Sequence, residues 1–179
     1  MWRLRLALSC SSRSLINPRN GFAKFLYPLH VRSVTLYPLG HLAIGYLVGL
    51  AASKTLNVDV NLYALLVLSL LPDLDLLLPV VSHRGRTHSI IVALLIALPF
   101  LVVLGKAAIP YALTLISHSA IGDVITGPVQ LLWPLRTQRY TFIGIGVFSP
   151  SNIVLETTLF IVGLLVLYQT GDYHALLPV

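Results

Sequence analysis

The sequence predicts an all-α integral membrane protein, a helical bundle of about five short transmembrane helices. Three observations carry that prediction. Hydrophobic residues make up 56% of the 179-residue chain and charged residues only 10%, against about 25% charged in a typical soluble domain. The long apolar runs have none of the charged outer faces that a soluble helical protein would need. From residue 36 onward, hydrophobic segments alternate with short polar breaks, and lipid is the natural solvent for such a chain.

Helix one is expected over about 37–53, ending before Lys54. Helix two starts at about residue 60 and is interrupted at Pro72, which lacks a backbone donor and disfavours helix at Leu71. Helix three is expected over about 88–105 and helix four over about 107–126, with Lys106 at the turn between them. A loop over 128–150, rich in Gly, Pro and aromatic residues, precedes helix five at about 152–168. The membrane domain is thus residues 36–179. Residues 1–35 differ from it, being Arg- and Ser-rich and free of acids. Three readings of this extension stay open: an organellar transit peptide, a basic tail beside the membrane, or an upstream extension with translation starting near Val34.

The net charge of +6 belongs mostly to that tail, which holds six of the twelve basic residues. Nucleic-acid binding is therefore not expected. The lone cysteine, Cys10, excludes both an internal disulfide framework and a thiolate zinc site. With five spans, the tail and the loops at 82–87 and 128–150 share one side of the bilayer. That side carries ten of the twelve basic residues and the other side only Lys54 and Lys106. The positive-inside rule makes the richer side cytoplasmic. Without the tail the bias narrows to Arg84, Arg86, Arg136 and Arg139 against the two lysines.

Of six acids in the chain, Asp73, Asp75, Asp123 and Glu156 sit in or at the edge of hydrophobic segments. A carboxylate at the centre of a span costs about 2.5–3.5 kcal/mol on insertion scales, so a chain this sparing of charge keeps such groups for a reason. Helix capping at the interface is the plainer reading for Asp123 and Glu156. On the five-span topology His41, Asp73, Asp75, His83, His88, His118, Asp123 and Glu156 all lie towards one membrane face. A single histidine is more often a hydrogen-bonded core residue. Histidines and carboxylates delivered to one layer by separate segments form the ligand chemistry of zinc, with manganese or magnesium as alternatives. A dication would also neutralise the buried acids. His30 and His174 lie outside this layer, and no matching polar layer is expected on the opposite side.

Asp73 and Asp75 stand two apart. On a regular helix they would point about 200° apart, whereas an extended stretch after Pro72 would aim both at one site. The stretch His83-Arg84-Gly85-Arg86-Thr87-His88-Ser89 gathers two imidazoles, two guanidiniums and two hydroxyls. Guanidiniums suit phosphate oxygens, and Thr87 is a candidate cap for helix three. A cytoplasmic turn accounts for the arginines but not for the histidines.

Gly40-His41, Leu71-Pro72-Asp73-Leu74-Asp75, the His83–Ser89 block, His118 with Asp123, and Gly127-Pro128-Val129-Gln130-Leu131-Leu132-Trp133-Pro134 together resemble the membrane-bound metal-dependent hydrolase family of the YdjM type. The resemblance runs from about residue 40 to 140, and its most specific part is His83–Ser89. It implies a hydrolase with a distant tie to zinc-dependent phospholipase C and single-strand nucleases, and hence phosphoester substrates. In that family's pattern an Asp commonly follows the equivalent of His118 by four positions. Here Asp123 follows by five, about 140° round a regular helix. Either a local bulge near Gly122 restores the approach, or Asp123 orients a ligand histidine.

The leading functional reading is a metal-dependent hydrolase at the cytoplasmic membrane surface, acting on a phosphoester that is lipid-linked or otherwise. Metal ligands are expected from His41, Asp73, Asp75, His88, His118 and Asp123. Proton transfer falls to His83 or Glu156, and phosphate binding to Arg84, Arg86 and Arg136. The competing readings are a metal-binding membrane transporter and a non-catalytic module whose polar cluster pins helices together. A chain truncated to begin near Val34 is expected to insert and to retain metal. If it fails to accumulate while the full chain does, the tail has a structural or targeting role.

Overall fold

The computed structural model describes residues 38–77, 83–145 and 149–176; the extension expected over 1–35 lies outside them. Among the described residues the chain is helical with no named strand, and a single antiparallel bridge joins Val129 and Tyr140. Helix α1 is Pro38–Leu56 and α2 is Leu62–Leu70. The 3-10 segment Leu71–Leu77 continues α2, and a 3-10 turn Arg86–His88 precedes α3, Ile90–Leu104. After the 3-10 turn Gly105–Ala108 comes α4, Ile109–Ser117. It runs through a π-helical turn, His118–Asp123, into a last α-turn, Val124–Thr126. Helix α5 is Pro150–Thr170, followed by the 3-10 segment Asp172–Leu176.

Three of these stretches are long and apolar enough to cross a membrane: Pro38–Leu56, Ile90–Thr126 and Pro150–Thr170. As one straight rod the 37 residues of the middle stretch would reach about 55 Å, well beyond a hydrocarbon core of about 30 Å. It is instead bent at Gly105, whose φ of +56° suits a residue without Cβ. Helices α3 and α4 then pack against each other, and His88, ahead of α3, comes beside His118 at the end of α4. The nine residues of α2 alone are too short to span. Its 3-10 continuation rises further per residue and brings Leu62–Leu77 to about 27 Å.

The burial pattern suits lipid rather than water. Val102 and Val103, 77% and 80% exposed, face outward with Leu98 and Leu165, while Ser69, Thr114, His118, Asp123 and Asn152 are fully buried. Helix α1 lies at the centre, against α2, α4 and α5. Small residues permit this. A Cβ on Gly45 would overlap that of Ser69, and one on Gly49 would stand 2.5 Å from Thr114 Oγ1. The Thr114 hydroxyl donates to the Gly45 carbonyl at 3.0 Å, so close backbone approach and an interhelical hydrogen bond share one place. Tyr46, Leu50, Leu62 and Leu65 form the apolar core next to it.

The 128–145 segment folds over the start of α3. The Ser89 hydroxyl donates to the carbonyls of Leu131 and Trp133, and the Ile90 N–H donates to Leu131 O at 2.9 Å. Ser89 also caps α3, accepting from the Ile91 N–H at 3.2 Å. Thr87, the expected cap, is committed elsewhere. The opposite end of the bundle is more polar than expected: a cavity of about 270 Å³ is lined there by Ser53, Lys54, Asp59, Asn61 and Asp172. The Tyr46 hydroxyl donates to Asp172 Oδ2 at 2.8 Å.

Gly45→Val is expected to lower stability by about 1–3 kcal/mol through overpacking against Ser69. Gly105→Ala meets open space and should cost only the strain of a positive φ, about 1–3 kcal/mol. Thermal unfolding of both variants in detergent, with helix content followed by circular dichroism, checks this. A Gly45→Val chain as stable as the parent would show that the α1–α2 approach has slack.

Candidate metal centre

Each polar group of this end is placed by a local backbone feature. His41 lies one turn into α1, buried, with its ring over the backbone of Gly122, where a Cβ would overlap the imidazole. The ring stacks on His118 with centroids 4.1 Å apart. His118 and Asp123 are five residues apart, which an α-helix would turn to different faces. The π-turn closes i→i+5 bonds and brings them back to one face, with His118 Nε2 3.5 Å from Asp123 Oδ2. The bulge considered near Gly122 is therefore this π-turn.

Asp73 and Asp75 differ from the extended arrangement that would aim both at one site. They lie on a 3-10 helix, where positions two apart point about 120° away from each other. As a result they bracket His88. Asp73 Oδ1 is 3.4 Å from the Nε2 atoms of both His88 and His118. Asp75 Oδ2 is 3.2 Å from Nδ1, on the other edge of the His88 ring. The Asp75 oxygens are also engaged by His83 Nδ1 at 2.9 Å and by the Thr87 hydroxyl, which donates at 2.7 Å.

Among the described residues, three triplets could hold an ion, the donor atoms of each lying within 4.8 Å of one another: His41, His118 and Asp123; Asp73, His88 and His118; Asp75, His83 and His88. The middle of the cluster can be tested for fit. His118 Nδ1 lies 2.6 Å from the Ser69 carbonyl. A carbonyl only accepts, so Nδ1 carries a proton, and in the neutral ring Nε2 presents a lone pair. That lone pair faces carboxylate oxygens of Asp73 and Asp123 at 3.4 and 3.5 Å. His88 Nε2 faces Asp73 and Asp123 oxygens at the same distances. Both Asp123 oxygens, His118 Nε2, His41 Nδ1 and His83 Nε2 are buried without a hydrogen-bond partner. Acceptors gathered in this way repel one another unless a cation stands between them, so the residues fit a dication. The carboxylates around His88 favour positive charge at its place. Burial opposes its protonation, but hydrogen bonds to Asp73 and Asp75 and the Asp123 charge outweigh burial and push it up to about 9, so a dication binding there would displace the His88 proton.

The remaining candidates sit around this centre. Arg84 takes a φ of +58° and turns inward. Its Nη2 donates to Thr126 Oγ1 at 2.7 Å, and its Nε makes an ion pair of 3.3 Å with Asp123 Oδ1. Arg86 is exposed and lies over the Trp133 ring, 5.3 Å from its centroid. Arg136 is exposed in the 128–145 segment. Glu156 ties helices together, accepting from Asn152 Nδ2 at 2.8 Å and from the Gly40 N–H at 3.4 Å. The Ser69 carbonyl, Thr126 and the ring-sized space over Gly122 carry no sequence signal as site features. Only the isolated Ser69 in an apolar run hinted at an inward-facing position.

Asp75→Asn should weaken zinc binding by about 10–100-fold while leaving stoichiometry at saturation unchanged, as for a group that orients a ligand imidazole. Gly122→Ala should also weaken binding, by displacing the His41 ring. Competitive zinc titration of the purified protein reads both effects. Complete loss of the ion in Asp75→Asn would make Asp75 a direct ligand.

No curated protein and no solved structure matches the chain. Residues 36–177 match a family described as YdjM inner membrane protein. That match takes in every helix described above, and this chain belongs to the YdjM inner membrane protein family.

Proposed function

We propose that this protein is a membrane-embedded, metal-dependent hydrolase of phosphoesters, with its site at the cytoplasmic face. The observation that carries the reading is the facing of His88 Nε2 and His118 Nε2 onto Asp73 Oδ1 and Asp123 Oδ2 at 3.4–3.5 Å. These four groups, with His41 beside them, would hold zinc, or manganese or magnesium in its place. Such an ion, when bound, supplies Lewis acidity towards a phosphoryl oxygen and lowers the pKa of a water to about 7.

The chain's own residues would divide the remaining work. Asp75 accepts the His83 Nδ1–H at 2.9 Å, which fixes the tautomer and leaves Nε2 free as a base. His83 would take a proton from the attacking water as the new P–O bond forms. It would return that proton to the alkoxide as the ester P–O bond breaks. Arg84 would hold the second carboxylate oxygen of Asp123 in place, and Arg86, exposed above Trp133, would meet the phosphate, with Arg136 as a further contact. Glu156 would position α1, and with it His41, through Gly40.

Residues 36–179 would form the catalytic domain, with the bilayer as its principal partner. A transporter remains the second reading, favoured by the polar cavity at the other end. Tyr46, Leu50, Leu62 and Leu65 form an apolar cluster that walls this cavity.

A panel of phosphomonoesters, phosphodiesters and phospholipids, assayed with zinc, manganese and magnesium, separates the readings. His88→Ala and Asp73→Ala should each lose both bound metal and turnover. Absence of turnover across the panel, together with zinc flux in liposomes abolished by Asp73→Ala, would establish the transporter instead.

A further inference from the structure

An apolar cavity of about 440 Å³ lies between α2, α3 and α4, with Ala97, Phe100 and Ala112 among its lining. A second cavity, of about 160 Å³, adjoins it through the shared residues Ile96 and Leu115. The second cavity is lined at its other end by Asp75, Thr87 and Ser119. Asp75 and Thr87 hydrogen-bond each other behind His88, and Ser119 follows His118 in the π-turn. The two cavities form one crevice, apolar along the bilayer-facing length and polar where it meets the candidate centre.

Its construction is specific. On α3 the lining positions Val92, Ile96, Phe100 and Leu104 recur every four residues and so form one helix face. The face spans roughly 18 Å of helix, close to the depth of one leaflet in a hydrocarbon core of about 30 Å. Alanines at 64, 97, 108 and 112 keep the floor open. Exposed Val67 and Phe100 stand at its edge, so the entrance is sideways, from lipid. At the polar end Arg86 precedes Thr87 in sequence and presents an exposed guanidinium over Trp133, the pairing suited to the headgroup layer.

We propose that this crevice seats one hydrocarbon chain of a phosphate-bearing lipid whose headgroup lies at the metal centre. The substrate class is thereby a lipid phosphoester taken laterally from one leaflet. The headgroup assignment rests on the hydrolase reading; the chain seat rests on the crevice.

The test uses the full chain in lipid nanodiscs with phosphatidate carrying a photoreactive group along one acyl chain. Mass-spectrometric mapping should find labelling of α3 between Ile96 and Leu104 several-fold above that of the lipid-facing α5 residues Ile161 and Leu165. Unlabelled phosphatidate should compete, and diacylglycerol of the same chains should not. Ala64→Phe, filling the crevice, should reduce the labelling several-fold with helix content unchanged. Equal labelling of α3 and α5, or equal competition by diacylglycerol, overturns the proposal by reducing the crevice to ordinary bilayer contact. If Ala64→Phe fails to fold, the competition in the parent chain decides alone. Specific labelling without phosphoester turnover supports the chain seat and removes the hydrolase reading. Turnover without specific labelling overturns the chain seat and leaves the hydrolase standing.

Discussion

A buried and a half-buried carboxylate face two buried imidazoles across 3.4–3.5 Å at one end of an apolar bundle, and the surrounding structure is arranged to keep them there. Uncompensated charge at membrane depth is expensive. The cost is limited because three of the four groups have a second anchor that sets their direction. The Ser69 carbonyl takes the Nδ1 proton of His118, Asp75 engages Nδ1 of His88, and Arg84 pairs with Asp123. The donor atoms that remain face one another, an arrangement that could hold a metal ion.

Holding that convergence demands irregular backbone. The π-turn at His118–Asp123 rotates Asp123 onto the face of His118, and the 3-10 stretch after Leu70 places Asp73 and Asp75 on opposite edges of His88. Both departures from α-helix lie at the polar end. The hydrogen-bond rearrangement they require is tolerated there because the backbone lines a polar site rather than lipid. The long regular helices carry the bilayer contact. Helix α1 can sit at the centre because Gly45 and Gly49 bring its backbone against Ser69 and Thr114. His41 thereby reaches the layer formed by α2, α3 and α4.

Much of this was legible in the residues. Charge scarcity and the alternating apolar runs sufficed for a helical membrane bundle. The positions of His41, Asp73, His88, His118 and Asp123 relative to segment ends sufficed to put them in one layer, because chain reversal at each span is forced by the bilayer's thickness. The helix boundaries moved by a few residues, since Pro150 at the first turn and Asn61 and Ser89 as caps set them locally.

What the sequence determined by itself was therefore the solvent, the helical class and the gathering of the polar groups at one end of the bundle. Periodicity and charge report these directly. Which edge of which imidazole each carboxylate meets was decided only by tertiary structure. A regular helix would separate His118 from Asp123, and an extended strand would align Asp73 with Asp75; the fold takes neither form. Helical phase at a π-turn or a 3-10 segment depends on what packs against it. The Ser69 carbonyl, the space over Gly122 and the crevice under Ile96 exist only once separate helices have met.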